Sequence, residues 1–160
     1  MTTARIDALR RQIESAFTDA PPPAEDRIGY NPDDWESAEL SQAFKGRHWK
    51  DLSLAELQYH SISFTSSEGF RYYLPAYLMG ALADYGNLMP HTVYGLTLEE
   101  GTSPQDERLR HWQLERFDGL SSAQKHTVRC FLEYARDEAS SYFSQGQAPS
   151  LALAMYWGRF

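Results

Sequence analysis

The sequence predicts an all-α fold, a compact bundle of about six or seven short-to-medium helices joined by irregular acidic connectors. Apolar residues recur at spacings of three and four along most of the chain, which is the period of an amphipathic helix. Capping patterns stand before several of these stripes. The chain has 160 residues, 42% of them hydrophobic, which suffices for one core. We therefore predict a single helical domain over residues 1–160.

The first helix is predicted over residues 4–17. An apolar stripe through Ile6, Leu9 and Ile13 defines its buried face. Three consecutive prolines at 21–23 end this region, because proline has no N–H to donate and disfavours helix in the residue before it. An irregular connector follows.

Two shorter helices are predicted next. One begins near Asp33 or Asp34 and runs to Phe44. The other begins at Ser53, because Ser53 and Glu56 match a capping box in which each side chain satisfies a free backbone N–H of the first turn.

A long helix is predicted from a second capping pattern, Thr65 with Glu68. Its apolar stripe runs from Phe70 to Tyr85. Pro75 lies inside the stripe, so we expect either a kink or a helix that starts after the proline.

Residues 87–102 are ambiguous, because an apolar run through Val93, Tyr94 and Leu96 fits a short extended segment as well as a helix. The next helix start is clear. Ser103 is a suitable cap and is followed by a proline at the first helical position.

Two further helices are predicted toward the C terminus. Ser121 and Gln124 form another capping pattern, and the stripe that follows includes Phe131 and Leu132. Pro149 introduces a last, short helix.

The sequence FRYYLPAYL at residues 70–78 resembles part of a family of uncharacterised bacterial domains. Trp49, Phe117 and Trp157 fit other landmarks of that family. The resemblance covers residues 40–157. It implies no activity, cofactor or catalytic residue.

The charge balance argues against two classes of partner. Acidic residues outnumber Lys and Arg by 22 to 15, for a formal net charge of −7. Nucleic acids and anionic membranes attract Lys and Arg, so we expect neither as a partner. The start of the chain has no apolar run of signal-peptide length, and Cys130 is the single cysteine. These features predict a cytoplasmic protein.

The acidity is concentrated in two segments. Residues 25–39 and 72–107 each carry a net charge of −5, whereas the rest of the chain carries +3. We predict that they bind a basic protein partner, with Tyr30 and Trp35 as aromatic anchors. The alternative, that the acids only keep the protein soluble, stays open. The predicted partner-binding residues are Glu25, Asp26, Tyr30, Asp33, Asp34, Trp35, Glu36, Glu39, Glu99, Glu100, Asp106 and Glu107.

Motifs for metal, nucleophilic or phosphate chemistry are missing from the sequence. The histidines form no HxxxH or HExxH pair, no serine lies in a GxSxG motif, and no glycine-rich phosphate loop occurs. His126 and Cys130 lie four residues apart on a predicted helix, so a thiolate activated by the histidine is conceivable. A small core cysteine is the favoured interpretation. We predict no metal and no cofactor.

The tyrosines of the FRYYLPAYL block offer two interpretations. Tyr72, Tyr73 and Tyr77 crowd two helical turns, and their hydroxyls could orient a ligand. Phe70 and Tyr77 also share the predicted core stripe, and buried tyrosines usually place the hydroxyl on a nearby polar group. A core role is favoured.

We predict a non-enzymatic protein-interaction domain. A concrete version is an immunity-type inhibitor that neutralises a basic toxin, such as a nuclease. Its acidic side chains would pair with the Lys and Arg that normally hold substrate phosphates. The alternatives are a small-ligand-binding protein or enzyme with a site near the tyrosine-rich block, and a subunit of a homo-oligomer.

Overall fold

The computed structural model describes residues 2–144 and 148–160, and over these ranges the chain forms eight α-helices connected by short 3-10 turns and loops. The predicted all-α class is confirmed, with eight helices in place of six or seven. Within the described ranges, no helix has both the length and the apolar character needed to cross a membrane. The helices are α1 (Thr2–Phe17), α2 (Trp35–Phe44), α3 (Leu54–Tyr59), α4 (Ser67–Ala83), α5 (Leu88–Gly95), α6 (Pro104–Asp118), α7 (Ser122–Glu138) and α8 (Ala148–Met155).

Three helices begin with reciprocal capping boxes, as their sequence patterns indicate. In each box the side chain of the capping serine accepts from a backbone N–H of the first turn, while a first-turn side chain accepts from the N–H of the serine. Such boxes set where the helices start, and so which faces they bury. The pairs are Ser53 with Glu56 in α3, Ser103 with Asp106 in α6 and Ser121 with Gln124 in α7.

The start of α4 corrects the prediction by one residue. Ser66, and not Thr65, caps the helix, because the Ser66 hydroxyl accepts from the N–H of Gly69 at 3.0 Å. Thr65 is fully buried, and its hydroxyl donates to the carbonyl of Ile62 at 2.6 Å. The Thr65 side chain is therefore already used by the turn before the helix.

Helix α4 occupies the centre of the fold. Twelve of its 17 residues are buried, and it packs against α1, α3, α5 and α6. The helix is continuous from Ser67 to Ala83 with Pro75 inside it, so the expectation that it starts after the proline is wrong. Extensive burial supports a helix through a residue that cannot donate a backbone hydrogen bond.

The ambiguous segment at 87–102 contains helix α5 and not an extended run. Leu88, Thr92 and Leu96 are four residues apart and all are fully buried, which is helical spacing. The Thr92 hydroxyl donates to the carbonyl of Tyr77 at 3.3 Å. The buried polar residue Thr92 therefore occupies one position of the buried helical face. A pattern of apolar residues alone does not include it, so the sequence leaves this helix ambiguous.

The tyrosines of α4 belong to the core, as the favoured interpretation predicts. The Tyr73 hydroxyl lies 2.8 Å from the carbonyl oxygen of Phe44 and 2.9 Å from that of Arg47. The Tyr77 hydroxyl donates to the carbonyl of His60. Burial raises the pKa of Tyr73 to about 12 and that of Tyr77 further. These hydroxyls satisfy the carbonyls of the loops that surround α4.

We predict that Gly69→Ala destabilises the protein by about 1–3 kcal/mol, the usual cost of overpacking a core. A Cβ atom at this position would overlap the backbone carbonyl of Ile28, which cannot move as a flexible side chain would. Gly86→Ala is the control, because its Cβ would meet only the Asp84 carboxylate at an ordinary 3.7 Å. Urea unfolding compares the two. Equal free energies of unfolding for both variants would contradict the prediction.

We also predict a specific acid sensitivity at Glu56. The Arg47 side chain hydrogen-bonds to the Glu56 carboxylate and is the largest cause of its low pKa. Hydrogen bonds from the N–H and the side chain of Ser53 act in the same direction. Together they hold the pKa of Glu56 at about 2, below its ordinary 4.5. The carboxylate therefore stabilises the fold above pH 4.5, and this stabilisation is lost as the pH falls toward 2. Glu56→Gln should show a shallower decline of unfolding free energy between pH 5 and 2. A decline as steep as in the wild type would refute this role.

Candidate functional site

An open groove of about 250 Å³ is formed by α2, the end of α3 and the turn that follows. Two of its aromatic side chains are largely exposed, Trp35 at 66% and Tyr59 at 71%. Contiguous exposed apolar patches on a protein surface often mark interaction sites. We call this feature the aromatic groove; it is lined by Trp35, Glu36, Glu39, Tyr59, His60 and Phe64.

The first turn of α2 determines which side chains face outward. The Asp34 carboxylate caps the helix, accepting from the N–H groups of Glu36 and Ser37 at 3.0 and 3.1 Å. Ser37 is buried and donates its hydroxyl to the carbonyl of Phe64 at 3.1 Å. Because this inner contact fixes the helix, Trp35 and Glu36 are left on its exposed side.

Tyr30 is less available than Trp35 as an anchor. Its hydroxyl donates to the Asp34 carboxylate at 2.8 Å, and its ring lies 5.1 Å from the ring of Trp112 and 6.2 Å from that of Phe64. Burial and this hydrogen bond raise the pKa of Tyr30, and the same bond lowers the pKa of Asp34. Tyr30 is therefore partly held by these contacts and is 39% exposed, whereas Trp35 is 66% exposed and lines the groove.

The aromatic groove carries negative charge. Asp33, Glu36 and Glu39 are exposed, and none of them forms an ion pair within the described parts of the chain. His60 does not offset them at neutral pH, because burial lowers the pKa of its imidazole from 6.5. The groove thus presents carboxylates beside exposed aromatic rings.

The other acids of the first segment lie outside the groove lining. Glu25 forms an ion pair with Lys45 at 3.4 Å, and Asp26 is exposed in the 3-10 turn Glu25–Arg27. The first segment therefore divides into residues that line or flank the groove and residues at the preceding turn.

The second acidic segment does not contribute to the aromatic groove. Glu99 and Glu100 line a different and larger cleft. Asp106 belongs to the capping box of α6, and its hydrogen bonds with Ser103 lower its pKa. Glu107 is exposed in the first turn of that helix.

This larger cleft has a volume of about 570 Å³, within the usual range of small-molecule sites. It is bordered by α5, α6 and the start of α8. We call it the arginine cleft; among the residues that line it are Tyr94, Leu98, Glu99, Trp112, Arg116 and Tyr142.

Arg116 is a buried cation on the wall of the arginine cleft, with 1% of its surface exposed. Its Nη1 donates to the carbonyl of Ile62 at 3.1 Å. Its Cζ lies 4.0 Å from the ring centre of Trp112 and 4.9 Å from that of Phe70. Burial lowers its pKa to about 9, so the guanidinium remains charged at neutral pH.

His126 and Cys130 face each other, as their spacing predicts. The Cys130 Sγ lies 3.6 Å from Nε2 of His126 and accepts a hydrogen bond from the Gln12 amide at 3.5 Å. The other ring nitrogen of His126 lies 3.4 Å from the main-chain oxygen of Phe160, and no Asp or Glu side chain among the described residues hydrogen-bonds to the ring. Those residues also contain no cluster of three or more His, Cys, Asp or Glu able to hold a metal ion.

The fold and these surfaces define a small all-helical domain with an acidic aromatic groove and a separate cleft around a buried arginine. The model of a family of unknown function, DUF6714, matches residues 5–159, and the chain belongs to this family. The resemblance to an uncharacterised domain family is thereby confirmed. No curated protein and no solved structure matches the chain.

Three site residues are not apparent from sequence reasoning alone. Tyr59 and Tyr94 are the most exposed large aromatics, yet both lie in apolar stripes that resemble core. Arg116 did have a signal, because it continues the spacing of Leu109 and Trp112 on one face of α6. A charged residue on an apolar stripe indicates a buried charge that needs explanation.

We predict that Asp34→Ala lowers the free energy of unfolding by about 1 kcal/mol, because it removes the cap of α2. Asp33→Ala, one residue earlier and exposed, should change stability by less than about 0.5 kcal/mol. Thermal or urea unfolding of the two variants measures the difference. If Asp33→Ala proved the more damaging, the assignment of Asp34 as the cap would be wrong.

Proposed function

We propose that this protein is a non-enzymatic protein-interaction domain that binds a basic protein through the aromatic groove. The observation that carries the proposal is the pairing of Trp35 and Tyr59. They come from different helices, are both mostly exposed, and line one groove together with Glu36 and Glu39.

The exposed aromatic rings supply the apolar part of the proposed interface. Tryptophan and tyrosine are enriched among the few residues that dominate binding energy in protein complexes. The backbone of Trp35 is held by a helix whose inner face is fixed by Ser37, so little backbone entropy is lost when a partner covers this residue.

The carboxylates beside the rings determine that the binding surface of the partner is positively charged. Glu36, Glu39 and Asp33 attract a surface rich in Lys and Arg, which accelerates association and excludes acidic competitors. The net charge of −7 favours a basic partner in the same direction at longer range.

A toxin whose active site binds phosphates is a specific partner with this chemistry. A nuclease holds its substrate with Lys and Arg, and an immunity-type inhibitor would cover those residues with the aromatic groove. In this proposal Glu36 and Glu39 occupy the positions of substrate phosphates, while Trp35 packs against the rim of the toxin site.

We predict that Trp35→Ala with Tyr59→Ala weakens binding of the basic partner by about 30-fold or more, the equivalent of one aromatic hot spot of about 2 kcal/mol. The partner is captured from an extract of the parent cell, purified and titrated by calorimetry. Nuclease assays of the purified partner, with and without this protein, test inhibition. Undiminished binding by the double variant would place the interface elsewhere.

Charge reversal tests the electrostatic part separately. Glu36→Lys with Glu39→Lys should slow association, and the effect should be strongest at low salt. Asp19→Lys with Asp51→Lys is the matched control, because it changes the net charge equally at exposed sites outside the groove. Asp34 is left intact because it caps α2. Equal slowing by both pairs would show that only the net charge matters, and it would contradict a specific groove.

A further inference from the structure

We propose that the arginine cleft binds a small organic monocarboxylate whose acid group is received by Arg116 and whose apolar body lies against the cleft walls. This inference concerns a site separate from the proposed protein interface and goes beyond the proposed function. It rests on the surroundings of Arg116, the lining of the cleft and the acidic residues in that lining.

The positive charge of Arg116 lacks an anionic partner in the described parts of the chain. Its guanidinium contacts one backbone carbonyl, of Ile62, and the rings of Trp112 and Phe70. Proteins normally bury a charge only when it is paired with an opposite one or fully hydrogen-bonded. A ligand carboxylate would supply the missing charge.

The unused donors of Arg116 have the right geometry for a carboxylate. Nε is buried without a hydrogen-bond partner, and Nη2 makes no hydrogen bond with the described residues. These two nitrogens lie on one edge of the guanidinium and form the fork that binds two carboxylate oxygens at once. The contacts with Ile62 and Trp112 hold this edge in place.

Aliphatic and aromatic side chains in the lining of the cleft can contact an apolar body. Leu98, Leu109 and Leu151 contribute aliphatic surface, and Tyr94 and Tyr142 add exposed rings. A volume of about 570 Å³ accommodates a ligand with an aryl or alkyl group.

Two acids at the cleft select against highly charged ligands. Glu99 and Glu100 both line it, and Arg110 fixes their loop by donating to the carbonyl of Glu99 at 2.8 Å. Carboxylates held near the binding site repel a phosphate or a dicarboxylate more than a single negative charge. The cleft therefore fits a monoanion better than a phosphate.

The test uses 4-phenylbutyrate as the probe, with the neutral 4-phenylbutyramide and inorganic phosphate as comparisons. Calorimetry on the full chain at pH 7 should show one site for phenylbutyrate. The amide should bind with an affinity at least about tenfold lower, because a charge-assisted hydrogen-bond pair is lost. Phosphate should not compete. Equal binding of acid and amide, competition by phosphate, or no binding of the acid at millimolar concentration would overturn the proposal.

The matched variants are Arg116→Met and Arg108→Met, which remove the same charge from one helix. Arg108 is exposed, so its variant should bind phenylbutyrate as the wild type does. Arg116→Met should lose the preference for the acid over the amide, and a retained preference would overturn the assignment of Arg116.

A measurement on the wild-type protein keeps the proposal testable if Arg116→Met does not fold. The Nε–H resonance of the buried arginine should shift when phenylbutyrate is added and stay in place with phenylbutyramide. An unchanged resonance at saturation with phenylbutyrate would contradict carboxylate binding at Arg116.

Discussion

Helix α4 lies inside the protein, so other helices must cover it on several sides at once. Its glycines show how closely they do so. Gly69 faces the backbone of Ile28, and a Cβ on Gly80 would come within 3.0 Å of the side chains of Leu57 and Leu88. The covering helices are thereby set at short distances from one central element. Both candidate sites lie beside helices that pack on α4, with α3 at the aromatic groove and α5 and α6 at the arginine cleft.

The elements that sequence reasoning predicted well are those that carry their own start signals. Ser53, Ser103 and Ser121 define helix starts through local hydrogen bonds, which need no knowledge of the tertiary structure. The predictions for helix α5 and for the cap of α4 were less accurate, because the hydroxyls of Thr92 and Thr65 are satisfied inside the core. The sequence does not show which group will satisfy such a hydroxyl, because that partner is supplied by the fold.

The candidate site shows the same division. Trp35 was predicted as an anchor because it stands in an acidic segment, and the structure places it in a groove with Glu36 and Glu39. Tyr59 joins that groove only through the packing of α3, so no local pattern indicates it. Asp34 carries the same charge as its acidic neighbours, yet its carboxylate caps helix α2 by accepting from two backbone N–H groups. Its position at the helix start, and not its charge, determines that it acts as a cap.

Arg116 has a consequence for protein engineering. It is the one charged residue among the fully buried side chains of the described ranges. Exchanging buried charges for apolar side chains of similar size often leaves stability unchanged or increases it. A redesign that optimises thermal stability alone would therefore tend to select a hydrophobic residue here. Such a protein would be more stable, but its cleft would lack the arginine that is proposed to bind a carboxylate. Thermostabilised variants are therefore a poor choice for a search for a natural ligand.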